Sequence, residues 1–256
     1  MFTEAQFDQF EQSEHELTIE EFAAIVALLL TWSDDLDKEI SSFYRIYGSD
    51  GVITYQEARK WVSEKDHRKR LTVLSLFILK GFDGVFNGLE KEFESHLRSI
   101  IANECKFFDV TISAEDVKKI LYATWGIDKQ NWKDRLWDYY YDWATILSND
   151  MKIAFIKRTP IKDVLKDLKK RFVNMEKILW RLYLTETTAL GSLARKEIFK
   201  QLGIKKYQFF SREDERRCED CGALHGLIFP ISAYEVGVTA SPIHGHCRCW
   251  EVPIRE

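Results

Sequence analysis

Four of the five cysteines in this 256-residue chain fall in one short stretch: Cys218 and Cys221 as C-x-x-C, Cys247 and Cys249 as C-x-C. Three of the six histidines, His225, His244 and His246, lie in the same stretch. A C-x-x-C sets two sulfurs on one tight turn, and a C-x-C in extended chain turns both side chains to one face because the strand period is two. Two such pairs joined by about twenty-five residues suit a closed four-ligand structural zinc site. Seven side chains compete for the four positions. The first choice is Cys218, Cys221, Cys247 and Cys249; the next puts His244 in place of one of the last pair. His225 and His246 are read as supporting or surface residues. Arg216, Arg217 and Arg248 are close enough in sequence to offset thiolate charge through hydrogen bonds. The competing readings are two disulfides, or free buried thiols.

A site saturated by thiolates lacks the open position and the neighbouring acid or base of a catalytic zinc. Neither a glycine-rich phosphate loop nor a Ser-His-Asp array is evident. The residues therefore favour structure over catalysis. One enzymatic alternative is a small zinc-dependent nuclease or effector, using His225, His244 and His246 with Asp214 or Glu215 beside the cysteine cluster.

The elements that must position the cluster are mostly helical. Thr18 with Glu21, Ser33 or Asp34, Thr54 with Glu57, and Ser113 with Asp116 read as helix starts. Gly48 and Gly203 read as stops. Residues 49–54 resemble half a calcium loop, but aligning Gly51 with the invariant glycine leaves Ile46 and Gly48 at ligand positions, so the segment is a turn. Helix is expected through much of His67 to Phe107, with Gly81, Gly84 and Gly88 marking a break or a close helix approach. Cys105 reads as a core thiol. Trp132, Leu136, Tyr140, Trp143, Leu147 and Met151 form one apolar stripe, widened by Trp137, Tyr139 and Tyr141. Thr159-Pro160 caps the next helix, and a last helix is expected from about Thr187 to Leu202. Strands are expected at Tyr207 to Phe210, Leu227 to Phe229 and Arg248 to Val252. The expected fold is mainly α with a small C-terminal α+β zinc-binding domain, divided as a helical body over 1–182 and a compact domain over 183–256. The small domain is poor in large apolar residues, and a metal would supply folding free energy it lacks.

Charge is uneven. The formal net charge is −4, yet residues 1–66 hold 15 acidic and 5 basic side chains while 151–206 hold 15 basic and 5 acidic. Lys162, Lys166, Lys169 and Lys170 share the polar face of one helix, and are a candidate nucleic-acid contact. The longest apolar run, Leu71 to Leu79, is too short for a membrane span. The acidic start has no secretory leader pattern. These features point to a soluble protein made in a reducing cytoplasm, which favours metal over disulfide.

Several motifs occur in order: Thr185-Glu186, then Asp214-Glu215-Arg216 before the C-x-x-C, then Leu224-His225-Gly226, then Pro242-x-His244-x-x-Cys247-Arg248-Cys249. Together they resemble the phage head-morphogenesis or minor capsid family, the Mu F-like family. Arg217 stands where that pattern has Thr, His225 where it has Asp, and Gly245-His246 where it has Pro-Asn. The motifs cover Thr185 to Trp250, and the helical region before them is similar to the family's upstream part. The resemblance implies a minor capsid protein, associated with the portal protein and other prohead proteins inside the virion, and aiding head assembly or delivery of packaged DNA. It implies assembly in a host bacterial cytoplasm and no membrane partner.

Overall fold

The computed structural model describes residues 4–54, 56–57 and 65–254, and their side chains except those of residue 4, residues 65–80 and residue 82. The order is α1 (Glu4–Tyr47), β1 (Gly48–Ser49), β2 (Val52–Ile53), α2 (Lys65–Phe108), α3 (Ala114–Leu121), α4 (Trp132–Ile156), α5 (Ile161–Gln201), β3 (Lys206–Ser211), α6 (Glu219–Leu224), β4 (Ile228–Pro230), a 3-10 turn (Ile231–Ala233) and β5 (Cys249–Ile254). The fold is mainly helical with a small C-terminal sheet, as expected. Among the described residues, no helix is long and apolar enough to cross a membrane. The expected apolar run from Leu71 lies in α2, where the side chains are outside the described set.

The chain forms two compact units. The first gathers residues 1–23, 92–135 and 179–256, and the second residues 24–91 and 136–178. The position expected for a boundary, 182/183, lies inside α5, which continues through it.

Helices are fewer and longer than their start signals suggest. Thr18 lies inside α1, where its hydroxyl donates to the Glu14 carbonyl at 2.8 Å and meets His96 Nε2 at 3.2 Å. Ser33 and Asp34 are also mid-helix. Thr187 likewise donates back to the Tyr183 carbonyl, 2.8 Å away, so the two helices expected between 161 and 202 are one. A Ser or Thr hydroxyl can cap a helix or satisfy itself on the preceding turn, and an unbroken apolar stripe decides for the second. Where the stripe does break, the caps hold. Ser113 accepts the Asp116 amide at 3.1 Å and opens α3, which ends at Leu121. Thr54 Oγ1 accepts the Glu57 amide at 3.2 Å.

In the second unit, α1, α2, α4 and α5 bury aromatic side chains. Trp32 meets Phe172 edge-on at 4.8 Å, Phe43 stacks on Phe155 at 4.7 Å, and Phe86 meets Tyr140 at 5.3 Å. The stripe from Leu136 to Met151 is buried, as expected, while Tyr141 is exposed. Gly81 and Gly88 mark a close approach: an added Cβ would stand 2.5 Å from Trp32 Nε1 and 3.3 Å from Leu28. Residues 48–53 form a two-residue hairpin, with Asp50 and Gly51 both at positive φ, as the tight turn requires.

In the first unit, the three-stranded antiparallel sheet has the order β4-β3-β5. Tyr207 and Phe209 on β3 are fully buried, as are Phe93, Leu97, Leu190 and Phe199 from the helices. Aromatic contacts tie the layers, including Phe108 with Phe199 at 5.5 Å and Tyr207 with Tyr234 at 4.6 Å. The expected strands are present within a residue or two at their ends. Cys105, expected in the core, is half-buried, and burial raises its thiol pKa.

Candidate metal centre

The C-x-x-C opens α6. Cys218 is the N-cap, and its sulfur accepts the Cys221 amide at 3.3 Å. Asp, Ser and Thr do the same with oxygen, satisfying an orphan donor of the first turn. The C-x-C begins β5, where Cys249 pairs with Ser211 of β3. The intervening chain returns His244 to the first pair. His244 Nε2 lies 3.0 Å from Cys218 Sγ and 3.2 Å from Cys221 Sγ, and Cys221 Sγ lies 3.8 Å from Cys247 Sγ.

Two groups result, Cys218–Cys221–His244 and Cys221–Cys247–Cys249, each with its donor atoms within 4.8 Å of one another. Cys221 belongs to both. Cys221, Cys247 and Cys249 are buried against Phe209, with Cys218, Leu224, Phe229 and Ile243 around them. All five cysteines are unbridged. His244 Nδ1 meets the Gly245 carbonyl at 2.8 Å. With Nδ1 carrying the proton, Nε2 turns its lone pair to the sulfurs. Hydrogen bonds from Cys221 and then Cys249 lower the Cys247 thiol pKa. The same contacts push Cys221 and Cys249 upward. One thiolate among crowded thiols is an arrangement that a cation stabilises. Soft sulfur with one imidazole suits a tetrahedral ion.

The other candidates point elsewhere. His225 Nδ1 accepts the Ser211 amide at 3.1 Å, and its Nε2 lies 3.5 Å from Glu213. His246 is exposed, and its backbone is left-handed at φ 63. Asn, Asp and His tolerate that conformation best, which gives a physical reason for His where the family pattern has Asn. Asp214 is held by Arg248 at 2.6 and 2.7 Å, and that contact lowers its carboxyl to about 2. Arg217 pairs with Glu213 at 3.1 Å. Arg217 and Arg248, expected to offset thiolate charge by hydrogen bonds, thus have carboxylate partners instead.

The Thr185-Glu186 pair faces two ways. Thr185 Oγ1 donates to the Arg181 carbonyl at 2.6 Å and accepts the His246 amide at 3.3 Å, which positions the loop carrying His244. Glu186 is fully buried and takes Arg135 at 2.6 Å and Trp125 Nε1 at 2.9 Å.

Residues 147–252 match the family described as Phage Mu protein F like protein. The resemblance read from the motifs therefore holds, and it reaches upstream to take in the end of α4 and all of α5. Less than half of the chain is matched, and residues 1–146 lie outside it. The match is consistent with a phage head-morphogenesis family. No curated protein and no solved structure matches the chain.

Sequence reasoning missed a second buried polar cluster in the first unit. Arg195, 4% exposed, meets Glu104 at 2.6 Å, Glu251 at 3.4 Å and Glu11. Glu251 also accepts from the Tyr234 hydroxyl at 2.9 Å and from the Ser241 amide at 2.6 Å. Its signal was present: Phe7, Glu11, Glu14, Thr18 and Phe22 recur at helical spacing, so charged residues interrupt an otherwise apolar stripe.

Proposed function

We propose that this protein is a structural component of phage head morphogenesis, with a C-terminal segment fastened by one zinc ion. The family match over 147–252 is the observation that carries the head-morphogenesis reading. The convergence of Cys218, Cys221, His244, Cys247 and Cys249 supports the zinc. Zinc takes four of these five, with Cys221 shared between the two groups. Its role is structural: bound there, it supplies cross-linking between α6, the His244 loop and β5, and no catalytic step. In this reading 183–256 is the zinc-bearing domain and the preceding helices are the body.

The protein joins the prohead on the portal side, inside the capsid. Lys162, Lys166, Lys169 and Lys170, all exposed on α5, face packaged DNA there. Their charge is partly matched within the chain, since Lys170 lies 3.5 Å from Asp167 and Lys169 lies 3.9 Å from Asp37.

Proheads and virions purified from infected cells should contain the protein, and portal protein should co-purify with it. Failure to find it in either particle overturns the head reading. Elemental analysis of protein purified without added metal should give one zinc per chain; two disulfides and no zinc would overturn the metal. Incubation with DNA and magnesium, manganese or zinc should leave the DNA intact. Cutting that His244→Ala abolishes would favour a nuclease.

A further inference from the structure

The cluster around Arg195 holds more negative charge than one guanidinium can balance. Glu11 and Glu14 come from α1, Glu104 from α2, Arg195 from α5 and Glu251 from β5. Arg195 contacts Glu11, Glu104 and Glu251. Glu104 is 1% exposed and Glu251 fully buried. Glu14 lies one turn from Glu11, and its Oε1 accepts Asn103 Nδ2 at 3.0 Å. A cavity of about 50 Å³, lined by Glu11, Glu14, Thr18, Glu104 and Arg195 among others, lies between them. It is wide enough for little more than a water molecule or two.

Among the described residues, Glu14 Oε2 and Glu104 Oε2 are buried with no hydrogen-bond partner. A buried carboxylate without a partner is costly, and a protonated one carries its own donor. The other charged groups nearby are already engaged. Arg248 is paired with Asp214 and Arg212 with Asp8 at 3.5 Å. His15 is kept toward its neutral form, first by burial and then by Arg212 and Arg248. Protons bound by the carboxyl groups themselves can balance the excess.

We propose that protons held on Glu11 and Glu14 of this cluster clasp the N-terminal stretch of α1, residues 4–23, to the rest of the first unit, and that the clasp loosens as pH rises. Elsewhere on the docking surface Phe7 is buried against Phe107 and Phe108 and Phe22 lies 5.5 Å from Tyr183; Thr18 also meets His96 Nε2 at 3.2 Å, and burial lowers His96 to about 4, so that ring stays neutral above pH 6.

The direction follows from linkage. Burial, opposed by Arg195, lifts Glu11 to about 8. Burial and then the Glu104 charge lift Glu14 to about 7. In the released stretch both return toward 4.5. The docked form therefore binds more protons in between. The advantage from these two groups is lost as pH rises from their ordinary carboxyl range through their raised values. Each titrating group changes the docking equilibrium about tenfold per pH unit inside its own interval.

The test is backbone hydrogen exchange of the full chain between pH 6 and 8.5, corrected for intrinsic rates, with residues 136–156 as reference. Protection of residues 4–23 should fall about tenfold or more, while the reference stays level. The E11Q E14Q variant mimics the protonated pair, and its protection should be flat with pH at the wild-type acid level. If that variant does not fold, Glu14→Gln alone carries the test: its slope should drop by one group. A flat wild-type profile, or an unchanged slope in the variants, overturns the proposal.

Discussion

Two buried polar clusters in the first unit meet the same physical demand in different ways. The sulfur cluster gathers four thiols around one imidazole, and an external ion completes it in the proposed function. The Arg195 cluster carries its own cation, but one too few for its carboxylates. The first is written in the chain as a compact motif over residues 218–249. The second draws Glu11, Glu104, Arg195 and Glu251 from four elements far apart in sequence. A motif of local spacing can be read before folding, whereas charges that meet only through packing cannot.

The largest effect separating the two should come from the sulfur side. Cys221→Ser removes the ligand common to both groups. Zinc content should fall well below one per chain, and the segment after Gly203 should become protease-sensitive. Proteolysis should leave a fragment ending near Gly203 with its helical circular dichroism largely kept. Complete loss of the helical signal would show that the two clusters do not fail independently.

Arg195→Met should come next. Removing one partner of a buried ion cluster leaves uncompensated charge and costs about 3–5 kcal/mol. Chemical denaturation at neutral pH reads this directly, and the loss should shrink in acid as the carboxylates take up protons. Zinc content should remain at one per chain, which distinguishes this variant from Cys221→Ser. A loss of equal size at pH 5 and pH 8 would mean that packing, not charge, dominates the site.

The smallest effect lies away from both clusters. Ser113→Ala removes the N-cap of α3 and should cost about 1 kcal/mol, with zinc content and pH response unchanged. A larger loss, or a coupled loss of zinc, would blur the distinction between these clusters and the surrounding scaffold.

The same contrast explains what the chain disclosed before folding. The apolar stripe of α4 and the strands around Tyr207 and Cys249 follow from spacing alone; spacing put four cysteines first and His244 second, and it is the fold that brings His244 to 3.0 and 3.2 Å from Cys218 and Cys221. Helix lengths did not, because Thr18, Ser33 and Thr187 carry start chemistry yet sit in stripes that never break. The role of Glu186 was hidden too: its partners Arg135 and Trp125 come from the segment around the start of α4, and only tertiary packing brings them to it. Arg217 and Arg248 show the converse. Nearness in sequence to the thiols suggested one partner, while acidic neighbours offered a better one.

The way the chain is divided has a consequence for synthesis on the ribosome. Every segment of the second unit lies before residue 179, whereas the first unit draws on residues up to 256. Helices of the second unit can therefore settle while the first still awaits its sheet. Glu11 and Glu104 must wait for Arg195, and Arg195 for Glu251, so these acids spend the longest time unburied. Nascent chains in which residue 178 has cleared the ribosome should already protect the 24–47 portion of α1 from proteolysis, while residues 4–23 should stay open until the last strand has emerged.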